Sequence, residues 1–540
     1  MSSNRRSFLA NRSVRQALLL IGLVVSILLL AGGHPALAQT TIVTVDRADD
    51  SNDSEAQVCS DTEFNDCSLR GAISKANAAG THYTIVVPEE YYGYELSASE
   101  GDEDNNLVGD LDVRTSMTIQ GAPGAATVIR STGDNRVFHI IGDGTPGGME
   151  VVIQDVTIEN GYLSGTGGAG IFLENANLEV IDSNVTGNFS FGLGGGIYNY
   201  EGQLLVSGST LSGNRANDGD DYSLNPTECG GAIFTSSNGS TTVQNSSFSN
   251  NDAPWGGGAI CMATGSNTLN VSDSTFTGNT AEGGEPVGLD SAAGAIYTNS
   301  GGTVLVEGST FNANRSVSGG AIRSNSASFT IRNSTFYAND AYNGGAVASR
   351  TGTVNIYHAT FANNVAAGDG DSWVREATGS LNVYNSIHLG NGAGTNCSGG
   401  ANGASGNITF SNNDCPGTVG DPALSALAGN GGPTQTMALG ASSAAVGAGD
   451  PTYCLPTDQR GFDRPSDCDS GAFEADPLGN TSPVAVGDSA TVPLNGTVSV
   501  LENGSASVLT NDTDADFDVL TAELVDPPAH HVGTFTLNPA

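Results

Sequence analysis

The chain has 540 residues, 74 of them glycine, with 18 Lys+Arg against 57 Asp+Glu and a formal net charge of −39. So few basic residues, with Lys75 the single lysine, exclude electrostatic nucleic-acid binding, which needs clustered cations on phosphates, and docking to an anionic membrane surface. Glycine at this frequency also argues against a helix-rich enzyme, since each costs about 1 kcal/mol in a helix interior, and leaves an acidic, β-dominated extracellular protein.

Residues 1–38 have the layout of a secretory signal. Arg5, Arg6, Arg12 and Arg15 form a basic start, Ala17 to Ala31 is an apolar run, and Ala36-Leu37-Ala38 is a small-x-small cleavage pattern. The apolar run is short for a hydrocarbon layer of ~30 Å, so cleavage is expected, with no transmembrane segment afterwards. The expected location is secreted or cell-surface, extracellular or outer-membrane associated. An even number of cysteines, eight, in an exported chain favours disulfides. Sequence proximity suggests Cys59 with Cys67, Cys397 with Cys415 and Cys454 with Cys468. Cys229 and Cys261 stand five positions out of register in the repeat described next, and are expected not to pair.

That repeat has two halves. One is an apolar residue followed three positions later by Asn: Val185-Thr-Gly-Asn188, Leu211-Ser-Gly-Asn214, Phe248-Ser-Asn-Asn251, Phe276-Thr-Gly-Asn279, Phe311-Asn-Ala-Asn314, Phe336-Tyr-Ala-Asn339 and Phe361-Ala-Asn-Asn364. The other is a small-residue turn into Ile or Val, as in Gly194-Gly-Gly-Ile197, Gly230-Gly-Ala-Ile233, Gly257-Gly-Ala-Ile260 and Gly344-Gly-Ala-Val347. Successive motif asparagines lie 26, 37, 28, 35, 25 and 25 residues apart. Short alternating runs such as Leu269-Asn-Val271 and Phe329-Thr-Ile331 separate the motifs and read as strands with one face buried. A period of 25 with three short strands and glycine corners specifies an all-β fold, a right-handed parallel β-helix, in which stacked coils close a shared core. The motif aromatics should stack inward and the motif asparagines should form a ladder at one turn.

Extra residues separate Asn214 from Gly230 and Asn279 from Ala293, and after Asn364 the Gly-Gly turn is replaced by Ala366 to Gly379. All three leave the same corner. Loops that grow on one side of a solenoid often form its binding side.

Cys67-Ser-Leu-Arg-Gly-Ala-Ile73 with Ala76-Asn-Ala78 resembles the "CSLREA" segment of bacterial surface β-helix proteins, with Gly71 where that family usually has Glu. Thr84-Ile-Val-Val-Pro88, Gly109-Asp-Leu-Asp112, Met117-Thr-Ile119 and Arg136-Val-Phe138 follow in that family's order. The two repeat motifs resemble those of polymorphic outer-membrane proteins. Asn430-Gly-Gly-Pro433, Asp458-Gln-Arg-Gly461 and Ser470-Gly-Ala-Phe473 resemble the "choice-of-anchor" segment that closes such helices. Pro483-Val-Ala-Val-Gly-Asp488 and Val508-Leu-Thr-Asn-Asp512 resemble the start of a cadherin-like, immunoglobulin-fold β-sandwich. The resulting layout is 1–38 signal peptide, 39–84 N-terminal cap, 85–395 β-helix, 396–476 choice-of-anchor-like segment and 477–540 partial cadherin-like domain. These resemblances imply a pectin-lyase-like fold, a cell-surface or secreted location and no particular reaction.

Asp512, Asp514, Asp516 and Asp518 alternate, and four carboxylates on one face repel unless a cation binds. They are candidate Ca²⁺ ligands. The spacing also fits the start of an EF-hand loop ending at Glu523, but Phe517 stands where that loop needs Gly. A polysaccharide lyase or hydrolase would need clustered acids and a base beside the uronate. The candidate acids are Asp218, Asp220, Asp221, Asp369 and Asp371, and the candidate bases are Arg215, Arg315, Arg323, Arg332, Arg350 and Arg375. The absence of lysine from the repeats and the net charge, which repels an anionic substrate, favour instead a non-catalytic adhesin or structural protein. Its partner would be an extracellular glycan or a ligand on a host or neighbouring cell. His139, His358 and His388 are isolated in sequence and read as packed or surface residues.

Overall fold

The structure is a computed structural model that describes residues 41–475 apart from 61–64, 97–103, 146–147, 166, 218–228, 264, 282–291, 300, 392–393 and 413, together with 484–486, 507, 509 and 512. Among the described residues 33 strands form one sheet and wind into coils whose neighbours pair in parallel. Each coil contributes one strand to each of three long ladders, and most coils add a short fourth.

The first ladder carries the small-residue turn. Ile171, Ile197, Ile233, Ile260, Ile296, Ile322 and Val347 stack in register, rung upon rung, and all are fully buried. The second ladder holds the alternating runs, for example Leu204, Thr241, Leu269, Val304, Phe329 and Val354 in one register column. The third ladder aligns Val185, Leu211, Phe248, Phe276, Phe311, Phe336 and Phe361. The phenylalanine rings lie 4.8, 4.8, 4.9 and 4.9 Å apart and nearly parallel. That spacing is the inter-strand distance of a sheet, about 4.7–4.9 Å, so strand pairing and ring stacking reinforce each other.

The motif asparagines do what their position requires. Each Nδ2 donates one hydrogen bond to the next coil's Oδ1, as from Asn279 to Asn314 at 2.9 Å and from Asn314 to Asn339 at 3.0 Å. Its second hydrogen goes to a carbonyl of the preceding coil, Phe248 for Asn279 and Phe276 for Asn314, both at 3.0 Å. Backbone N–H groups join the same oxygens. The row runs unbroken from Asn188 to Asn364, so a buried polar column has both Nδ2 donors satisfied from Asn188 to Asn339.

A helix, α1 (Leu69–Ala79), covers the N-terminal end of the core. Ser68 caps it by accepting from Gly71 N, and Gly80 ends it at φ 64°, a left-handed conformation cheap only for glycine. A Cβ on Gly71 would stand 2.0 Å from the Ala56 carbonyl oxygen, so this packing has no room for the resembled motif's Glu. Buried Arg70 joins the cap to the following segment: it pairs with Asp50 and donates to the carbonyls of Gly109 and Asp110, both at 2.6 Å.

The ladders continue past residue 395, through Cys397–Ser398, Gly403–Ser405 and Ile408–Phe410 to Thr418–Val419. The chain then runs back along the outside. Gln459 bonds Thr310 and Thr335, Asn333 donates to the Thr457 carbonyl, and Asn385 and Asp450 exchange bonds. This strap buries the corner between the second and third ladders, including His358, whose pKa burial pushes down to about 3.

Four disulfides are present. Cys59–Cys67, Cys397–Cys415 and Cys454–Cys468 match the sequence reading. Cys229 and Cys261 also pair, with Cα atoms 5.6 Å apart, against the expectation. Register places Ile233 on Ile260 and Phe234 on Cys261, so Gly256 is the residue under Cys229. A Cβ there would lie 1.9 Å from Cys229 Sγ. The glycine opens that space, and the tight corner between Gly256 and Cys261 lets the two sulfurs meet diagonally across it. Counting repeat positions along one strand missed this route.

Candidate functional site

The outer row of the first ladder is largely aromatic and apolar. Register stacks His139, Phe172, Tyr198, Phe234, Cys261, Tyr297, Arg323, Ala348 and Val374. Phe172, Tyr198 and Phe234 make ring contacts at 5.0 and 5.1 Å, and Cys229, Phe234, Cys261, Ala293 and Tyr297 form a buried cluster separate from the main core. Two of the enlarged segments leave after the fourth ladder, at Arg215–Ala216 and Thr280–Ala281, and rejoin this face at Cys229 and Ala293. Residues 218–228 and 282–291, with Asp218, Asp220 and Asp221, lie outside the described residues.

The third expected enlargement is not one. Gly370-Asp371-Ser372-Trp373 makes the same corner as Gly344-Gly-Ala-Val347, with Gly370 at φ 79° and Gly344 at φ 63°. Trp373 pairs with Val347 and is fully buried. The corner tolerates Asp371 and Ser372 where other coils carry Gly and Ala, and this hid it in the sequence. Asp371 is buried, its Oδ1 accepts from Ala366 N at 2.8 Å, and burial pushes its pKa up.

Beyond this corner the outer row opens into a groove of about 410 Å³ lined by Asn343, Arg350, Asp369, Arg375, Glu376 and Ser398 among others. Arg323 enters from below: its Nη1 and Nη2 donate to Glu376 at 3.1 and 2.8 Å, and Ser318 Oγ donates to the same carboxylate at 2.7 Å. Arg375 donates to the carbonyls of Gly399 and Gly379. Asp369 is exposed and receives the Thr395 hydroxyl. The groove therefore presents an amide, two guanidinium groups and two carboxylates, a set able to hydrogen-bond the hydroxyls of a sugar.

The other candidate bases do not converge on it. Arg215 pairs with Asp252 at 3.1 Å, Arg315 with Asp340 at 3.4 Å, and Arg332 stands beside Glu307 on the second ladder. Arg350 lines the groove, while buried Arg323 reaches its edge only through Glu376, and Arg323 aligns with Ala348, so the two arginines are not stacked. Of the calcium candidates only Asp512 is described, and its Oδ1 accepts from Val486 N at 2.7 Å. Asp514, Asp516 and Asp518 lie outside the described residues.

Residues 115–291 match the family model described as the right handed beta helix region. The chain is a right-handed parallel β-helix. No curated protein matches it. Among the described residues no helix is long and apolar enough to cross a membrane.

Proposed function

We propose that this β-helix is an exported, cell-surface or secreted adhesin or structural protein that binds an extracellular glycan or surface ligand without cleaving it. The supporting observation is the groove at Arg350, Arg375 and Glu376 on the outer face of the first ladder. Its planar polar groups suit hydroxyl recognition, while the neighbouring Arg323 is held by Glu376 rather than posed as a base. The signal-like N-terminus and the resemblance of the flanks to bacterial surface proteins support the location. The Asp512, Asp514, Asp516 and Asp518 run supports a calcium site in the cadherin-like segment, tested by calorimetric titration of a chain with the complete module. For the groove, isothermal titration of uronate-containing and neutral oligosaccharides against wild type and Arg350→Ser is the test. Binding weakened about tenfold by the substitution supports this reading, since a charged hydrogen bond is worth ~1.5–3 kcal/mol. Equal binding by both proteins places the ligand elsewhere.

A further inference from the structure

His139 is isolated in sequence and reads there as a packed or surface side chain. The structure puts it among carboxylates. His139 stacks in register on Asp112 of the preceding coil, its Nδ1 lies 3.5 Å from Asp112 Oδ1 and 3.6 Å from Asp104 Oδ1, and its Nε2 lies 3.6 Å from Glu174 Oε2. The His139 side chain is 7% exposed and that of Asp112 0%. Neither ring nitrogen nor Asp112 Oδ1 makes a hydrogen bond. A buried carboxylate oxygen and a buried imidazole aimed at each other without hydrogen bonds are costly unless something lies between them.

The distances say what fits. An imidazolium donating to a carboxylate closes to about 2.7–2.9 Å, and both nitrogens stand well outside that. A tetrahedral ion bonded at about 2.0–2.1 Å sets its ligands about 3.3–3.4 Å apart, close to the observed separations. One atom each from Asp104, Asp112 and His139 lies within 4.8 Å of the others. Calcium prefers six to eight oxygens, whereas an imidazole nitrogen beside two carboxylates suits zinc-like divalent ions.

The surroundings hold this arrangement. Asn106 N donates to Asp112 Oδ2 at 2.7 Å, and Asn106 Nδ2 donates back to the Arg70 carbonyl. Phe172 of the next coil stacks on the His139 ring at 4.9 Å. Asp110 is engaged by Arg136 at 3.3 Å. On the far side of the ring Nε2 faces Glu174 Oε2 at 3.6 Å, beyond hydrogen-bond range, and Nδ1 is the nitrogen that faces both aspartates.

We propose that Asp104, Asp112 and His139 bind one divalent transition-metal ion of the zinc class. Asp104, with a side chain 63% exposed, leaves the solvent side open for a fourth ligand.

The test uses the full mature chain, stripped with a chelator and titrated with Co²⁺, then Zn²⁺. We expect one equivalent of Co²⁺ to give the intense visible bands of a tetrahedral site, displaced by Zn²⁺. Asp104→Asn, at an exposed position that the fold tolerates, should weaken Zn²⁺ binding about tenfold or more, since losing a ligand costs at least the roughly 10–100-fold of losing an outer-shell partner. His139→Gln should abolish the visible bands. Only octahedral, weakly coloured Co²⁺, or Zn²⁺ binding unchanged in Asp104→Asn and His139→Gln, would overturn the proposal and leave a solvated ion-pair cluster.

Discussion

Arg323 and Glu376 meet through two hydrogen bonds, 2.8 and 3.1 Å, that tie the first ladder to the chain leaving it two coils later. The Arg323 side chain is fully buried and that of Glu376 17% exposed. Removing one partner of a buried pair leaves the other charge unpaired, which costs about 3–5 kcal/mol, whereas replacing both by apolar groups is often neutral. Glu376→Ala should therefore destabilise by roughly 3 kcal/mol, and Arg323→Met with Glu376→Leu should recover most of it. Urea denaturation of the single and double variants measures both.

The asparagine column gives a second expectation. Asn314→Ala strips Asn279 Nδ2 of its acceptor and the Phe276 carbonyl of its donor. Each buried unsatisfied group costs about 1–3 kcal/mol, so a loss on the order of 3 kcal/mol should appear in chemical denaturation. Phe311→Ala, which opens a gap in the ring stack, should cost about 3–5 kcal/mol.

The Cys229–Cys261 bridge closes 32 residues. On the chain-entropy account such a loop contributes about 3–4 kcal/mol. Non-reducing peptide mapping should find this pairing, and Cys229→Ser with Cys261→Ser should lower Tm.

His388 occupies the place in the third ladder where the stack of phenylalanines ends, 5.2 Å from the Phe361 ring. Burial lowers its pKa to about 3 from 6.5, and His358 shifts the same way. In both cases the folded state binds fewer protons than the unfolded chain between those values. Stability contributed by the neutral rings is present above pH 6.5 and falls as pH drops toward 3, by about 1.4 kcal/mol per pH unit for each histidine. His388→Phe should extend the ring stack and roughly halve this acid loss. Thermal unfolding between pH 4.5 and 7 reads the slope.

Repetition made much of this fold legible. Each Phe-x-x-Asn and each Gly-Gly-Ala-Ile copy restates one coil, so an inward Phe311 and a laddered Asn314 follow from spacing alone. What stayed hidden depends on neighbours distant in sequence. Gly256 makes room for Cys229 only because Ile233 sits on Ile260. The corner at Gly370 survives without its usual Gly-Ala pair, and only the register of Trp373 on Val347 exposes it. His139 looked solitary because Asp112 is 27 residues earlier and becomes its neighbour only when the coils stack. Helix α1 was missed as well, although Ser68 and Gly80 stand at its two ends as ordinary caps.

The central claim, recognition of a glycan without its cleavage, is tested most directly by following binding and product formation in one incubation. Wild type and Arg350→Ser would be mixed with polygalacturonate, alginate and neutral surface glycans. Bound oligosaccharide would be read by titration, and chain ends by mass spectrometry. The account predicts saturable binding that Arg350→Ser weakens, with the glycan recovered at its original length. Shortened chains bearing unsaturated uronate or new reducing ends, formed by wild type and lost in the variant, would contradict it.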